Sequence, residues 1–221
     1  MQLAHTAHVP AGDGPHPTIL ALHGWGASAH DLLGLAPYFH AGQALVLCPQ
    51  GPIAFEIGPG LAGYGWFPLS EGRPPDPEAV AQAPKLVRAF LDDALERYPI
   101  DRRKLIVLGF SQGGVIAYDL ALRDPERFAG LVALSSWFPS ELSDSIAKQP
   151  AHESLPTLVI HGSRDPMIPV ARAQESRARL LEFGVPLTYR EFDTEHEIGI
   201  DALRTLVSWV EEKSISPVVL A

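Results

Sequence analysis

Residues 105–122 constrain this chain more than any other stretch. A short apolar run, 105–108 (LIVL), meets Gly109-Phe110-Ser111-Gln112-Gly113, and a second apolar run, 115–122, stops at Asp124-Pro125. The first run has the length of a buried strand; the second has helix length and a helix stop. The serine between them has a glycine two positions to either side, the G-x-S-x-G pattern of a sharp strand-to-helix turn that exposes one side chain. A turn this tight leaves little room for a Cβ near the serine, which explains the glycines. The pattern alone is weak, since about 0.1 chance matches are expected at ordinary Gly and Ser frequencies. Its meaning depends on what surrounds it.

The rest of the chain supplies similar strands. Residues 18–22 (TILAL), 44–47, 131–134 and 157–160 are continuous apolar runs, and 187–192 alternates loosely enough for a strand nearer an edge. Helices are expected near 29–39, with Ser28 as N-cap, and over 77–98, where Pro84 predicts a kink or a late start. Two more are expected at 170–183, ending at Gly184, and at 200–213, where 200, 203, 206, 207 and 210 form an apolar face. Residues 1–16 read as an extended lead-in. The Pro- and Gly-rich stretch 50–76 reads as a long irregular surface excursion. Continuous apolar strands alternating with helices define an α/β fold: a mostly parallel central sheet with helices on both faces. No repeat or linker interrupts 1–221, which is expected to form one domain.

Bulk properties narrow the partners. The 221 residues carry 17 basic and 26 acidic side chains, a net charge of −9, which disfavours nucleic acid and anionic membrane surfaces. No run of 18 apolar residues is present to span a bilayer, and the N-terminus shows no secretory signal. The single cysteine, Cys48, excludes an intramolecular disulfide and fits a reducing, cytoplasmic compartment. A homodimer is an allowed assembly. Neither a zinc-type Cys/His spacing, a P-loop nor a dinucleotide fingerprint appears, so no metal or cofactor is expected. His5 and His8 would point to opposite faces of a strand.

A serine hydroxyl is a weak nucleophile until a base takes its proton and a carboxylate orients that base. In parallel sheets the reactive groups gather at the carboxyl ends of the strands. His196 follows the last strand and precedes the last helix, where a base would project over Ser111. His152 precedes a strand, and His161 ends one just ahead of Asp165. Asp165 therefore reads as the acid, with Asp193 and Glu195 as near neighbours able only to modulate His196. The oxyanion of a tetrahedral intermediate would need backbone N–H donors. These are Gln112, after the nucleophile, and Trp25 in the loop His23-Gly24-Trp25-Gly26.

Together LHGWGAS, GFSQGG, LSSWFP, HGSRDPMIP and the late His196 make the chain resemble the carboxylesterase/acyl-protein thioesterase (phospholipase/carboxylesterase) family of α/β hydrolases, from about residue 18 to 213. The resemblance implies an α/β-hydrolase fold without a large lid domain, cleaving esters or thioesters through Ser111, Asp165 and His196. It likewise implies Trp25 and Gln112 as oxyanion donors. Trp25 departs from the smaller aliphatic residue common in the family, and 51–76 does not follow the eukaryotic thioesterases. The partner expected is a small ester or thioester. Residues 135–155 are too few for a helical cap, which predicts an open, shallow pocket. Its expected walls are Trp25, Trp66, Phe67, Trp137, Phe138, Met167 and Ile168, with Phe55, Ile57 and Leu61 from the excursion, forming a groove for short or medium acyl chains.

Overall fold

The computed structural model describes residues 3–69 and 75–215. In chain order the strands are β1 (His5–His8), β2 (His16–Leu22), β3 (Leu45–Pro49), β4 (Ile53–Gly58) and β5 (Leu61–Gly65), followed by helix α1 (Pro77–Arg97). Then come β6 (Ile100–Phe110), α2 (Gln112–Arg123), β7 (Gly130–Leu134), the short α3 (Ser140–Asp144) and β8 (Thr157–Gly162). Helix α4 (Val170–Phe183), β9 (Leu187–Phe192) and α5 (Ile200–Ile215) complete the chain. Seven strands form one sheet in the order β1-β3-β2-β6-β7-β8-β9, every pair parallel except β1 against β3.

Alternating strand residues feed two cores. Leu20, Leu22, Leu105, Val107, Leu131 and Ala133 face α1, α2 and the end of α4. Ile19, Ala21, Ile106, Leu108, Val132 and Leu134 face α5 and the 3-10 segment Leu32–Gly42. Both faces are thus covered, so the central strands are apolar throughout rather than alternating. Helix α2 is buried along 112–122, which is why its sequence shows little polar face. His5 and His8 do point to opposite sides, toward Tyr98 just after α1 and the Gly42 carbonyl respectively. Among the described residues no helix is long and apolar enough to cross a membrane.

Three expectations change. The segment near 29–39 is 3-10 rather than α-helical, running Leu32–Gly42 with Pro37 inside and a break where His40 and Ala41 take positive φ. A proline removes an intrahelical donor, and Ser28 accepts from His30 N–H and donates to Asp31 without capping a helix. Helix α1 does not start late: it begins at Pro77 and runs on through Pro84, which is buried within it. Asp76 caps its first turn by accepting from the Glu78 N–H at 3.1 Å. The excursion 50–76 is largely ordered: β4 and β5 pair as an antiparallel hairpin, Phe55 opposite Gly63. Residues 70–74 of it lie outside the described residues.

Candidate active site

Strand β6 delivers Ser111 at its carboxyl end, with φ 52° and ψ −118°. An L-residue in this region is strained by about 1–3 kcal/mol, so the surroundings must hold it there. They do so on three sides. Ser111 N–H donates to the Leu134 carbonyl at 2.9 Å, while the Ser111 carbonyl accepts from Gly114 N–H and from Ser136 Oγ–H. The flanking glycines make the close approach possible: a Cβ on Gly109 would stand 2.3 Å from the Gly113 oxygen, and one on Gly113 2.1 Å from the Leu22 oxygen.

The loops after β8 and β9 bring the other two groups in. Ser111 Oγ–H donates to His196 Nε2 at 3.0 Å, and His196 Nδ1–H donates to Asp165 Oδ2 at 2.7 Å. The second oxygen of Asp165 accepts from the backbone N–H groups of Met167 and Ile168, both at 2.9 Å. The carboxylate side chain is fully buried, while the imidazole is 20% exposed. Hydroxyl, imidazole and carboxylate therefore form one continuous hydrogen-bonded chain, the arrangement that lets a serine lose its proton to a neutral imidazole. The two loops are also tied together. Arg164 N–H donates to the Thr194 carbonyl, the Arg164 guanidinium grips Asp193, and Gly162 leaves room for the backbone of 194–195.

The remaining histidines have other work. His161 is buried beneath the loop that carries Asp165, donating from Nε2 to the Ile168 carbonyl at 2.8 Å and lying 3.5 Å from Asp165 Oδ2. His152 donates to the Leu122 carbonyl and accepts from Gln149 N–H. His23 donates from Nδ1 to the Gly24 carbonyl and accepts at Nε2 from Gly51 N–H, which requires the neutral ring. Burial holds its pKa below the ordinary histidine value, with the Gly24 carbonyl opposing that shift. Among the described residues no group of three or more His, Cys, Asp or Glu side chains is arranged to hold a metal ion.

Ser111 opens onto a cleft of about 300 Å³ lined by His23, Gly24, Trp25, Ala27, Asp31, Leu32, Phe110, His196 and Ile198. This is the small end of the range for ligand sites. Trp25 forms one wall, its ring stacked on Phe55 of β4 with centroids 4.2 Å apart. Gly24 passes against the Ser111 Cβ, bringing the loop that follows β2 beside that serine. Gln112 opens α2, so its N–H has no partner within the helix.

Most of the expected groove walls are not at this cleft. Trp66, Phe67 and Phe138 are fully packed into the core. Trp66 donates its indole N–H to the His23 carbonyl, and Phe138 stacks on Tyr118. Trp137 is half-buried against the same core, Ile168 is turned inward, and Met167 is 72% exposed on the surface. None of the six lines the cleft beside Ser111. The residues that do, Ala27, Asp31, Leu32, Phe110 and Ile198, were not among the expected walls: Ala27, Phe110 and Ile198 lie at strand ends or in loops, and Asp31 and Leu32 lie in the segment expected as a helix. A residue's position along a loop does not reveal which way its side chain turns.

The sheet order, the serine turn and the loops gathered at the strand ends are those of an α/β hydrolase. The chain belongs to the phospholipase/carboxylesterase family, a family of carboxylic ester hydrolases, whose sequence model matches residues 4–213. It is 22% identical over 198 residues to acyl-protein thioesterase 1 of Gibberella zeae, covering 83% of this chain and 84% of that one. A probable carboxylesterase of Oryza sativa subsp. japonica is 26% identical over 205 residues, 87% of this chain and 76% of that protein. Among solved structures, esterase PE8 superposes with a TM-score of 0.84 at 25% identity, covering 96% of this chain and all of that one. Arabidopsis thaliana SOBER1 superposes with a TM-score of 0.74 at 26% identity, over 89% of this chain and 98% of that one.

Proposed function

We propose that the protein hydrolyses carboxylic esters of short to medium acyl chains through an acyl-enzyme on Ser111. The observation that carries this reading is the hydrogen-bonded chain Ser111–His196–Asp165 opening onto a small apolar cleft. Ser111 Oγ attacks the ester carbonyl carbon as His196 Nε2 takes its proton, and Asp165 stabilises the imidazolium that forms. The backbone N–H groups of Trp25 and Gln112 receive the oxyanion. The tetrahedral intermediate collapses, His196 gives its proton to the leaving alkoxide, and the alcohol departs. Water then attacks the acyl-enzyme with His196 as base, releasing the acid and restoring Ser111.

Two observations support the chain length: the cleft beside Ser111 is small, about 300 Å³, and Trp25, stacked on Phe55, walls one side of it. A series of aryl esters from acetyl to palmitoyl tests this, with Ser111→Ala as the blank. The optimum is expected between acetyl and hexanoyl, moving to longer chains in Trp25→Leu. A rate that rises steadily to palmitoyl, or a profile unchanged in Trp25→Leu, contradicts the proposal.

Thioesters are the second substrate class, favoured by the similarity to the Gibberella zeae thioesterase. Esters rank ahead of acyl-coenzyme A because, among the described residues, the cleft lining carries Asp31 and neither lysine nor arginine, leaving the phosphates of coenzyme A without a counter-charge; acyl-protein thioesters carry no such phosphates and are the rival class. Matched ester and thioester substrates compared by kcat/KM separate the two.

A further inference from the structure

The hairpin β4–β5 and the two residues after it touch both loops that carry the proposed oxyanion donors. On the β2 side, Gly26 N–H donates to the Tyr64 carbonyl and Tyr64 N–H donates to the Ala27 carbonyl, both at 2.9 Å. Phe55 stacks on Trp25, and a Cβ on Gly65 would stand 2.2 Å from the Trp25 ring, so the indole lies flat against the hairpin. On the β6 side, the buried Gln112 side chain donates from Nε2 to the Phe67 carbonyl at 2.7 Å and accepts at Oε1 from Trp66 N–H at 2.8 Å. Trp66 joins the two sides, because its indole N–H donates to the His23 carbonyl at 2.8 Å.

We propose that the segment β4 to Phe67, fastened by the Gln112 side chain and the Trp66 indole, is a positioning device that sets the loop 23–27 against the N-terminus of α2 and so fixes the oxyanion hole. The proposal rests on the reading above that the Trp25 and Gln112 N–H groups receive the oxyanion. Neither the Gln112 side chain nor Trp66 touches the cleft; both act through the backbone they hold. A glutamine suits the task because its amide supplies one donor and one acceptor to adjacent backbone groups, and no other side chain of that length does so without charge. The geometry also explains why so polar a residue is fully buried: both ends of its amide are satisfied. Transition-state stabilisation depends on donors aimed at the developing charge, and a shift of about 1 Å in such a group can cost on the order of 100-fold in rate. Ground-state binding in the cleft does not use these groups, so the loss should fall on kcat.

The test is steady-state kinetics on an aryl acetate with the full-length protein, Gln112→Glu and Trp66→Phe, with Ser111→Ala as blank. The introduced carboxylate keeps the acceptor for Trp66 N–H but sets a negative oxygen against the Phe67 carbonyl; protonation restores the donor. Burial raises the pKa of such a carboxyl. His23 is the titratable ring beside this contact, and burial keeps it toward neutral. Where the carboxyl is ionised, at the alkaline end of the pH profile, Gln112→Glu is expected to lower kcat by about 10- to 100-fold with KM changed less than about 3-fold. The ratio of variant to wild-type kcat should then climb as pH is lowered, His196 titration being common to both. Trp66→Phe keeps an aromatic ring and loses the bond to His23; it is expected to lower kcat by about 3- to 10-fold. If Gln112→Glu does not fold, Trp66→Phe decides alone. A kcat within 2-fold of wild type in the folded variants, or a loss expressed in KM with a pH-independent ratio, overturns the proposal. Wild type matching Ser111→Ala would instead overturn the esterase reading beneath it.

Discussion

Ser111 is held in a backbone conformation that an L-residue rarely adopts, and its neighbours rather than its own preference keep it there. Other single residues near it are similarly committed. His23 must be neutral to accept from Gly51 N–H while donating to the Gly24 carbonyl. Its pKa is lowered in the folded protein, chiefly by burial, so below the ordinary value of 6.5 the unfolded chain binds a proton that the native state refuses. Stability contributed by the neutral ring is therefore present above pH 6.5 and falls as pH drops from there to the folded pKa, by up to about 1.4 kcal/mol per pH unit. Urea unfolding between pH 7.5 and 5 should show this slope, reduced in His23→Asn. An identical slope in the variant would assign the effect elsewhere. At this scale the sequence made Ser111, Asp165 and His196 legible as candidates, since strand-end spacing and chain order need no knowledge of packing. It concealed the direction of Trp66, Phe67 and Phe138, whose aromatic side chains sit in loops yet turn into the core.

Elements meet with little tolerance where α2 crosses the end of β2. A Cβ on Gly113 would stand 2.1 Å from the Leu22 carbonyl oxygen and 2.7 Å from that of His23, so the helix start can approach the strand only without a side chain there. Gly113→Ala should push the first turn of α2 away from the loop 23–27. The expected cost is about 1–3 kcal/mol in unfolding free energy, accompanied by a fall in kcat larger than any rise in KM. Denaturant unfolding and kinetics on the same preparation check both parts; a variant as stable and as fast as wild type would show that the contact gives way freely. Most elements were readable because continuous apolar strands and 3.6-periodic helices carry their own signal. The hairpin β4–β5 was not, although Ile53-Ala54-Phe55-Glu56-Ile57 alternates and Gly60, at φ 72°, makes the turn. Abundant glycine and proline masked that alternation. The helix expected near 29–39 failed for the reverse reason, since apolar periodicity survives in a 3-10 segment that Pro37 keeps from becoming α-helical.

Across the whole molecule, the parallel sheet brings four distant stretches to one edge: the loop after β2, the turn after β6, and the loops after β8 and β9. That gathering was legible from sequence because strand order in such sheets puts reactive groups at the carboxyl ends. The size of the cleft was not, because it depends on how the hairpin closes over Trp25. The central claim is that Ser111 carries the acyl group between two half-reactions. Acid-quenching the protein within the first turnovers of an aryl acetate, followed by mass analysis of its peptides, tests it directly. One acetyl group on the peptide containing Ser111, absent in Ser111→Ala and removed at the rate of turnover, is the predicted result. Turnover without that adduct, or undiminished hydrolysis by Ser111→Ala, would contradict it.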